Sequence, residues 1–160
     1  MQTKARGNYS HAEGKHDNGK TTVTYNNTTY YYGASGVASH SEGANTIAHG
    51  NYSHAEGTNT KAIDENSHAE GSDTVASGTN SHAEGYYSTA SGTNSHAEGG
   101  YTLADTPYAH AEGSYSKASG QASHAEGYGG AYTTDGVEYT SEAKGMADHI
   151  EGFQCLTANN

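Results

Sequence analysis

Ser81-His82-Ala83-Glu84-Gly85-Tyr86-Tyr87-Ser88-Thr89-Ala90-Ser91-Gly92-Thr93-Asn94 is one turn of a repeat that runs through the chain. Its first five residues return with histidines at His40, His54, His68, His82, His96, His110 and His124, always 14 residues apart. A glutamate follows two places later in every unit, at Glu42, Glu56, Glu70, Glu84, Glu98, Glu112 and Glu126. His11 with Glu13 and His149 with Glu151 join the series across two insertions, which makes nine units. A short unbroken period belongs to solenoids, in which each coil borrows its core from its neighbours.

The type unit holds two five-residue segments that end in glycine, each followed by a two-residue link. Side chains of extended backbone alternate faces. Ser81, Ala83 and Gly85 therefore share one face, and His82 and Glu84 share the other. In the second segment Ser88, Ala90 and Gly92 oppose Thr89 and Ser91. The two all-small faces are expected to look at each other across a very flat coil, with glycines in left-handed or crowded conformations at the corners. Of the outward faces, one carries Ile47, Lys61, Val75, Thr89, Leu103 and Lys117 in turn, a mixture that suits a free surface. The other carries His and Glu at every coil. A face held constant nine times is expected to meet something equally regular.

Composition without order points elsewhere. Leu, Ile, Val and Phe total ten of 160 residues, the net charge is −11 with neutral histidines, and the mean hydropathy is −0.91. Such values describe chains too poor in apolar surface to offset their conformational entropy. The period overrides that reading, because stacked coils satisfy their backbone with ladder hydrogen bonds and need only small side chains inside. Cys155 is the single cysteine, so an intrachain disulfide is excluded. No apolar stretch approaches the roughly 20 residues that span a bilayer, and Met1 to Gly7 lacks the apolar region of a secretory leader. Membrane insertion is not expected. Seven basic residues against 18 acidic ones argue against nucleic acid as a partner.

One domain over residues 1–160 is expected, with insertions at about 15–32 and 128–140 and a C-terminal cap over 153–160. In the first insertion, Thr21 to Tyr25 and Thr28 to Tyr32 flank Asn26-Asn27, which reads as a β-hairpin. The second is a Gly/Tyr-rich loop. Tyr25, Tyr30, Tyr31, Tyr32, Tyr128 and Tyr132 are candidates for receptor contact, since tyrosine gives contact area at low entropic cost. Packing of the same rings onto the roll stays open.

The alternation Asn-Ser-His-Ala-Glu-Gly, then x-x-Thr/Ser-x-Ala-Ser-Gly, resembles the repeats of YadA-type trimeric adhesin heads. In this His/Glu form it also resembles repeats of phage and prophage tail appendages. The resemblance covers roughly residues 7–14 and 33–152. It implies an all-β, left-handed parallel β-roll solenoid of 14-residue coils, with three chains around a common axis. It also implies that the nine His and nine Glu positions face that axis, where the adhesin heads usually carry Val and Ile. A polar seam would then replace a hydrophobic one.

A buried column of unpaired carboxylates is untenable, so interchain His–Glu hydrogen bonds are expected, with histidine pKa values raised by their partners. The same layers, three His and three carboxylates in a trimer, form a ligand set for Zn²⁺ or Ni²⁺ at one or two levels. No other cofactor is expected. Catalysis wants one asymmetric constellation, not nine equal ones, and Asp17, Asp135 and Glu138 show no spacing that suits a carboxylate pair.

The expectation is a non-enzymatic segment of a homotrimeric extracellular fibre. It is read first as a phage tail fibre or appendage whose loops contact a host glycan or protein. A bacterial adhesin head is the alternative, and a polysaccharide-degrading tail spike is an alternative of another class. An adhesin calls for a leader, a stalk and an anchor. None stands in these residues, which places the expected location on a virion tail first and on another extracellular surface second.

Overall fold

The computed structural model describes residues 2–16, 20–129 and 141–153. Tyr132, Cys155, most of the second insertion and all but Phe153 of the expected cap lie outside the described residues. The described chain is all β and winds as a solenoid of parallel strands. One nine-stranded sheet, the ladder sheet, takes the strands His11–Lys15, His40–Ala44, His54–Thr58, His68–Ser72, His82–Ala83, His96–Ala97, His110–Ala111, His124–Ala125 and His149–Ile150. The other, the variable sheet, takes Lys4–Ala5, Gly33–Ala34, Ile47–Ala48, Lys61–Ala62, Val75–Ala76, Thr89–Ala90, Leu103–Ala104, Ser116–Ala118 and Ser141–Ala143.

Register is set by the repeat. His54 lies opposite His68, Ala55 opposite Ala69, and Glu56 opposite Glu70. It resumes across both insertions, where His11 pairs with His40 and His124 with His149. Opposite them in the variable sheet Lys117 pairs with Glu142. A one-residue slip would turn every imidazole into the coil interior, where only small side chains fit.

The two small faces do meet. Ala55, Ala69, Ala83, Ala97 and Ala111 of the ladder sheet and Ala62, Ala76, Ala90 and Ala104 of the variable sheet are fully buried in one column of core. Several serines of that core have their hydroxyls satisfied locally, though the buried Ser123 hydroxyl has no partner among the described residues. Ser53, Ser81 and Ser95 each donate Oγ–H to the carbonyl three residues back, at 2.7, 2.6 and 2.7 Å. An unsatisfied buried hydroxyl would cost about 1–3 kcal/mol.

The corners show both roles expected of glycine, and a further one that the sequence did not show. Glycine holds the left-handed region at the end of each ladder strand, as at Gly85 (φ +98°) and Gly99 (φ +101°). The second glycine is crowded instead, since a Cβ on Gly78 would strike the Gly92 carbonyl oxygen, while Asp64 and Thr106 take the same position in two other coils. The link residues themselves are left-handed without being glycine. Asn45, Asn59, Asp73, Tyr87, Tyr101 and Tyr115 form one such column, and Tyr52, Asn66, Asn80, Asn94, Tyr108 and Ala122 another, all with φ between +54° and +62°. A left-handed non-glycine residue costs roughly 1–2 kcal/mol. Here each amide is returned to the ladder: Asn80 donates N–H to the Glu65 carbonyl at 2.9 Å, and Tyr101 to that of Tyr86 at 2.8 Å.

The first insertion holds a β-hairpin. Thr22–Tyr25 pairs antiparallel with Thr28–Tyr31 across Asn26 and Asn27, both left-handed (φ +46° and +61°) as a tight two-residue turn demands. It is pinned to the roll. Tyr30 meets His49 edge-on at 5.0 Å, Tyr32 stacks on His16 at 5.6 Å, and the Arg6 guanidinium lies 4.6 Å over the Tyr31 ring.

Gly85→Ala forces a methyl against the Gly99 carbonyl at a positive φ and should destabilise the fold by at least about 2 kcal/mol. Gly100 has open space where a Cβ would stand, so Gly100→Ala should change stability by less than about 1 kcal/mol. Denaturant titration of both variants measures the difference.

Candidate functional site

In-register strands place each histidine directly over the next. From His11 to His149 the rings form a single column, with centroids 4.6–4.8 Å apart and planes within 16° of parallel. All nine sequence-predicted histidines join it. The glutamates form a second column beside it, shown by the pairings Glu13 with Glu42, Glu42 with Glu56 and Glu56 with Glu70. From the His40 to the His124 layer these side chains are 30–38 % exposed. The face is thus neither core nor freely solvated.

The exposure is uneven within each ring. Nε2 of His40, His54, His68, His82, His96, His110 and His124 is buried and has no hydrogen-bond partner among the described residues. Each points at carboxylate oxygen, but from beyond hydrogen-bonding length. His110 Nε2 is 3.5 Å from Glu98 Oε1 and 3.9 Å from Glu112 Oε2. Glu112 turns its other oxygen to His124, at 3.6 Å. Glu70 sits in the same way between His68 (4.0 Å) and His82 (3.8 Å). One carboxylate therefore serves two coils. The adjacency is within the chain, between coils, where the sequence reading placed His–Glu bonds between chains. Sets such as Glu56–His68–Glu70 and His110–Glu112–His124 keep their donor atoms within 4.8 Å of one another, a geometry that could hold a metal ion.

The expected rise in histidine pKa is reversed within the chain. His68, His82, His96 and His110 are all held below the ordinary imidazole value. Burial is the largest cause, and charge on the stacked neighbour adds to it: His82 and His54 act on His68, and His124 acts on His110. The nearby glutamates oppose the shift without cancelling it. Stacking like on like adds to the effect of burial, since a proton on one ring raises the energy of a proton on the next.

Beside the histidines, Glu42, Glu56, Glu70 and Glu84 with Gly57, Gly71, Gly85 and Gly99 line an open groove of about 490 Å³. The corner bordering this groove collects the chain's other features. The hairpin leaves the roll there, after Lys15, and the second insertion departs there after Tyr128. Between them stand tyrosines that the sequence reading passed over. Tyr87, Tyr101 and Tyr115 stack at 5.2 and 4.7 Å, and Tyr86 meets Tyr87 and Tyr101 edge-on. Their 14-residue spacing was the available signal. Tyr86, Tyr87 and Tyr101 remain 43–48 % exposed.

Among the tyrosines singled out from sequence, Tyr31 and Tyr128 are exposed, and Tyr25 and Tyr32 are half-buried. Tyr30 is buried, with its ring against His49. No helix among the described residues is long and apolar enough to cross a membrane.

Lowered histidine values mean that the unfolded chain binds more protons than the folded one near pH 6. The stability they contribute is complete above the unfolded value of about 6.5 and is lost as pH falls through the folded values. Thermal melts should therefore give a lower Tm at pH 5.0 than at pH 7.5. A Tm that climbs on acidification would contradict this.

Comparison with known families finds the YadA head domain repeat in two overlapping copies, at residues 69–95 and 83–104. Together they span residues 69–104, which take in the whole coil Ser81–Asn94 and part of the coil on either side, and the chain there carries YadA-type head repeats. Comparison with the curated proteins finds no match.

Proposed function

We propose that this chain is a non-enzymatic segment of a homotrimeric extracellular fibre. Three copies join through the His/Glu face, and the decorated corner attaches the fibre to a host-surface glycan or protein. The observation that carries this reading is the uniformity of the face. Nine imidazoles and their glutamates keep one register, while the residues at the alternate positions of the variable sheet change from coil to coil and are not the free surface expected throughout, since Ile47 and Val75 are buried. A merely solvated face has no need of that constancy.

Three such faces around an axis bring the charged edges of different chains together, where imidazole N–H groups and carboxylates complement each other. The matched repeats support a surface-adhesin head. The His/Glu form of the repeat is what supports a phage tail fibre or appendage. In either setting the ladder assembles and the corner recognises. Nine equivalent layers do not single out an acid and a base, so the glycan-degrading reading gains no support from the ladder.

The corner supports attachment because the hairpin, the stacked tyrosines and the start of the second insertion share one edge. That edge is about 30 Å long, at roughly 4.8 Å per coil. Labelled protein should bind a subset of arrayed bacterial and animal surface glycans or whole cells. Tyr87→Asn with Tyr101→Asn keeps a residue type that the same column uses at Asn45 and Asn59, so the fold should survive while binding falls about tenfold or more. Undiminished binding would move recognition away from this corner, and shortened glycan products would favour the degrading spike.

A further inference from the structure

The buried, unpartnered Nε2 atoms have a use that hydrogen bonding between chains does not supply. We propose that the ladder is a divalent transition-metal site, in which one imidazole Nε2 and the carboxylates of two successive coils hold each ion. The His110 layer shows the set: Nε2 lies between Glu98 Oε1 at 3.5 Å and Glu112 Oε2 at 3.9 Å. Ligands on a tetrahedral ion with bonds of about 2.0–2.1 Å stand roughly 3.3 Å apart. The observed spacings exceed that by a few tenths of an ångström, which side-chain rotation closes without moving the strands. They are also too long for good hydrogen bonds.

The ring planes stack, so each Nε2 lone pair runs within its own layer toward the glutamate column. One imidazole with the glutamates of its own coil and the preceding coil fits a single ion better than two stacked imidazoles do. Two parallel rings 4.6 Å apart, as His110 and His124 are, cannot both aim lone pairs at a common point. Neutral imidazole is the ligating form. An imidazole with two carboxylates selects Zn²⁺, Ni²⁺ or Co²⁺ over Mg²⁺.

The repeat also limits occupancy. Ions in adjacent layers would stand near 4.8 Å apart, and each glutamate is shared between two layers. With two glutamates per ion, the nine glutamates serve at most four ions per chain, in alternate layers.

The test uses tag-free full chain, stripped with EDTA and dialysed to pH 7.5. Calorimetric titration with ZnCl₂ should saturate at about two to four ions per chain, persist in millimolar Mg²⁺, and disappear at pH 5.0 as the imidazoles protonate. Glu112→Gln removes a ligand from both the His110 and His124 layers and should reduce uptake by about one ion. Glu65→Gln, on the opposite corner, should leave it unchanged. If Glu112→Gln fails to fold, the visible spectrum of Co²⁺-loaded wild type decides. Intense bands of a four- or five-coordinate site support the proposal, and the pale spectrum of six-coordinate aquo cobalt overturns it. Uptake below one ion per chain, equal displacement by Mg²⁺, or full uptake by folded Glu112→Gln would each overturn it too.

Discussion

Everything in this molecule depends on parallel coils stacked in register at the spacing of β-strands. Amides of the strands and of the left-handed links donate to carbonyls of the neighbouring coils, and that ladder provides the cohesion that a core of Ala, Ser and Gly cannot. The interior is too thin for larger side chains, so the residues inside are set by space. The corners are set by the demand that the chain reverse within two residues. Asn, Asp and Tyr bear left-handed conformations there because their amides remain in the ladder.

Register turns every repeated residue into a column, and a column puts like against like. Alanine gains from this, and the Tyr87, Tyr101 and Tyr115 rings gain by stacking. Asparagines convert it into amide ladders, as when Asn66 Nδ2 donates to Asn80 Oδ1 at 3.1 Å. Charged groups lose by it. The glutamate column would repel itself in isolation, and the imidazole column stands beside it, offset so that one carboxylate faces two rings. His68, His82, His96 and His110 resist charging chiefly because they are buried, and the stacked neighbour adds to it. The arrangement thus leaves lone pairs and carboxylates facing each other, a surface ready for other chains or for cations.

Much of this was legible in the 14-residue spacing. Alternation placed Ala83 and Ser81 inside and His82 and Glu84 outside, and Asn26-Asn27 between two Thr/Tyr runs marked the hairpin. What alternation cannot give is a residue's surroundings along the stack. It assigned His82 to a face without showing that His68 and His96 would enclose its ring, and the direction of the pKa shift follows from that enclosure. It credited the corners to glycine, because nothing in the local sequence marks Tyr87 or Asn80 as left-handed except their recurrence at the link. It also treated Tyr30 and Tyr31 alike, though strand alternation in the hairpin turns one toward His49 and leaves the other exposed.

The proposed role of the His/Glu face as an assembly seam is tested most directly by solution mass. Light scattering on the full chain at pH 7.5, with EDTA present so that metal plays no part, should give three times the 16.6 kDa chain mass. A mass of one chain across the concentration range would contradict it, and would leave the uniform face without the partner that its regularity demands.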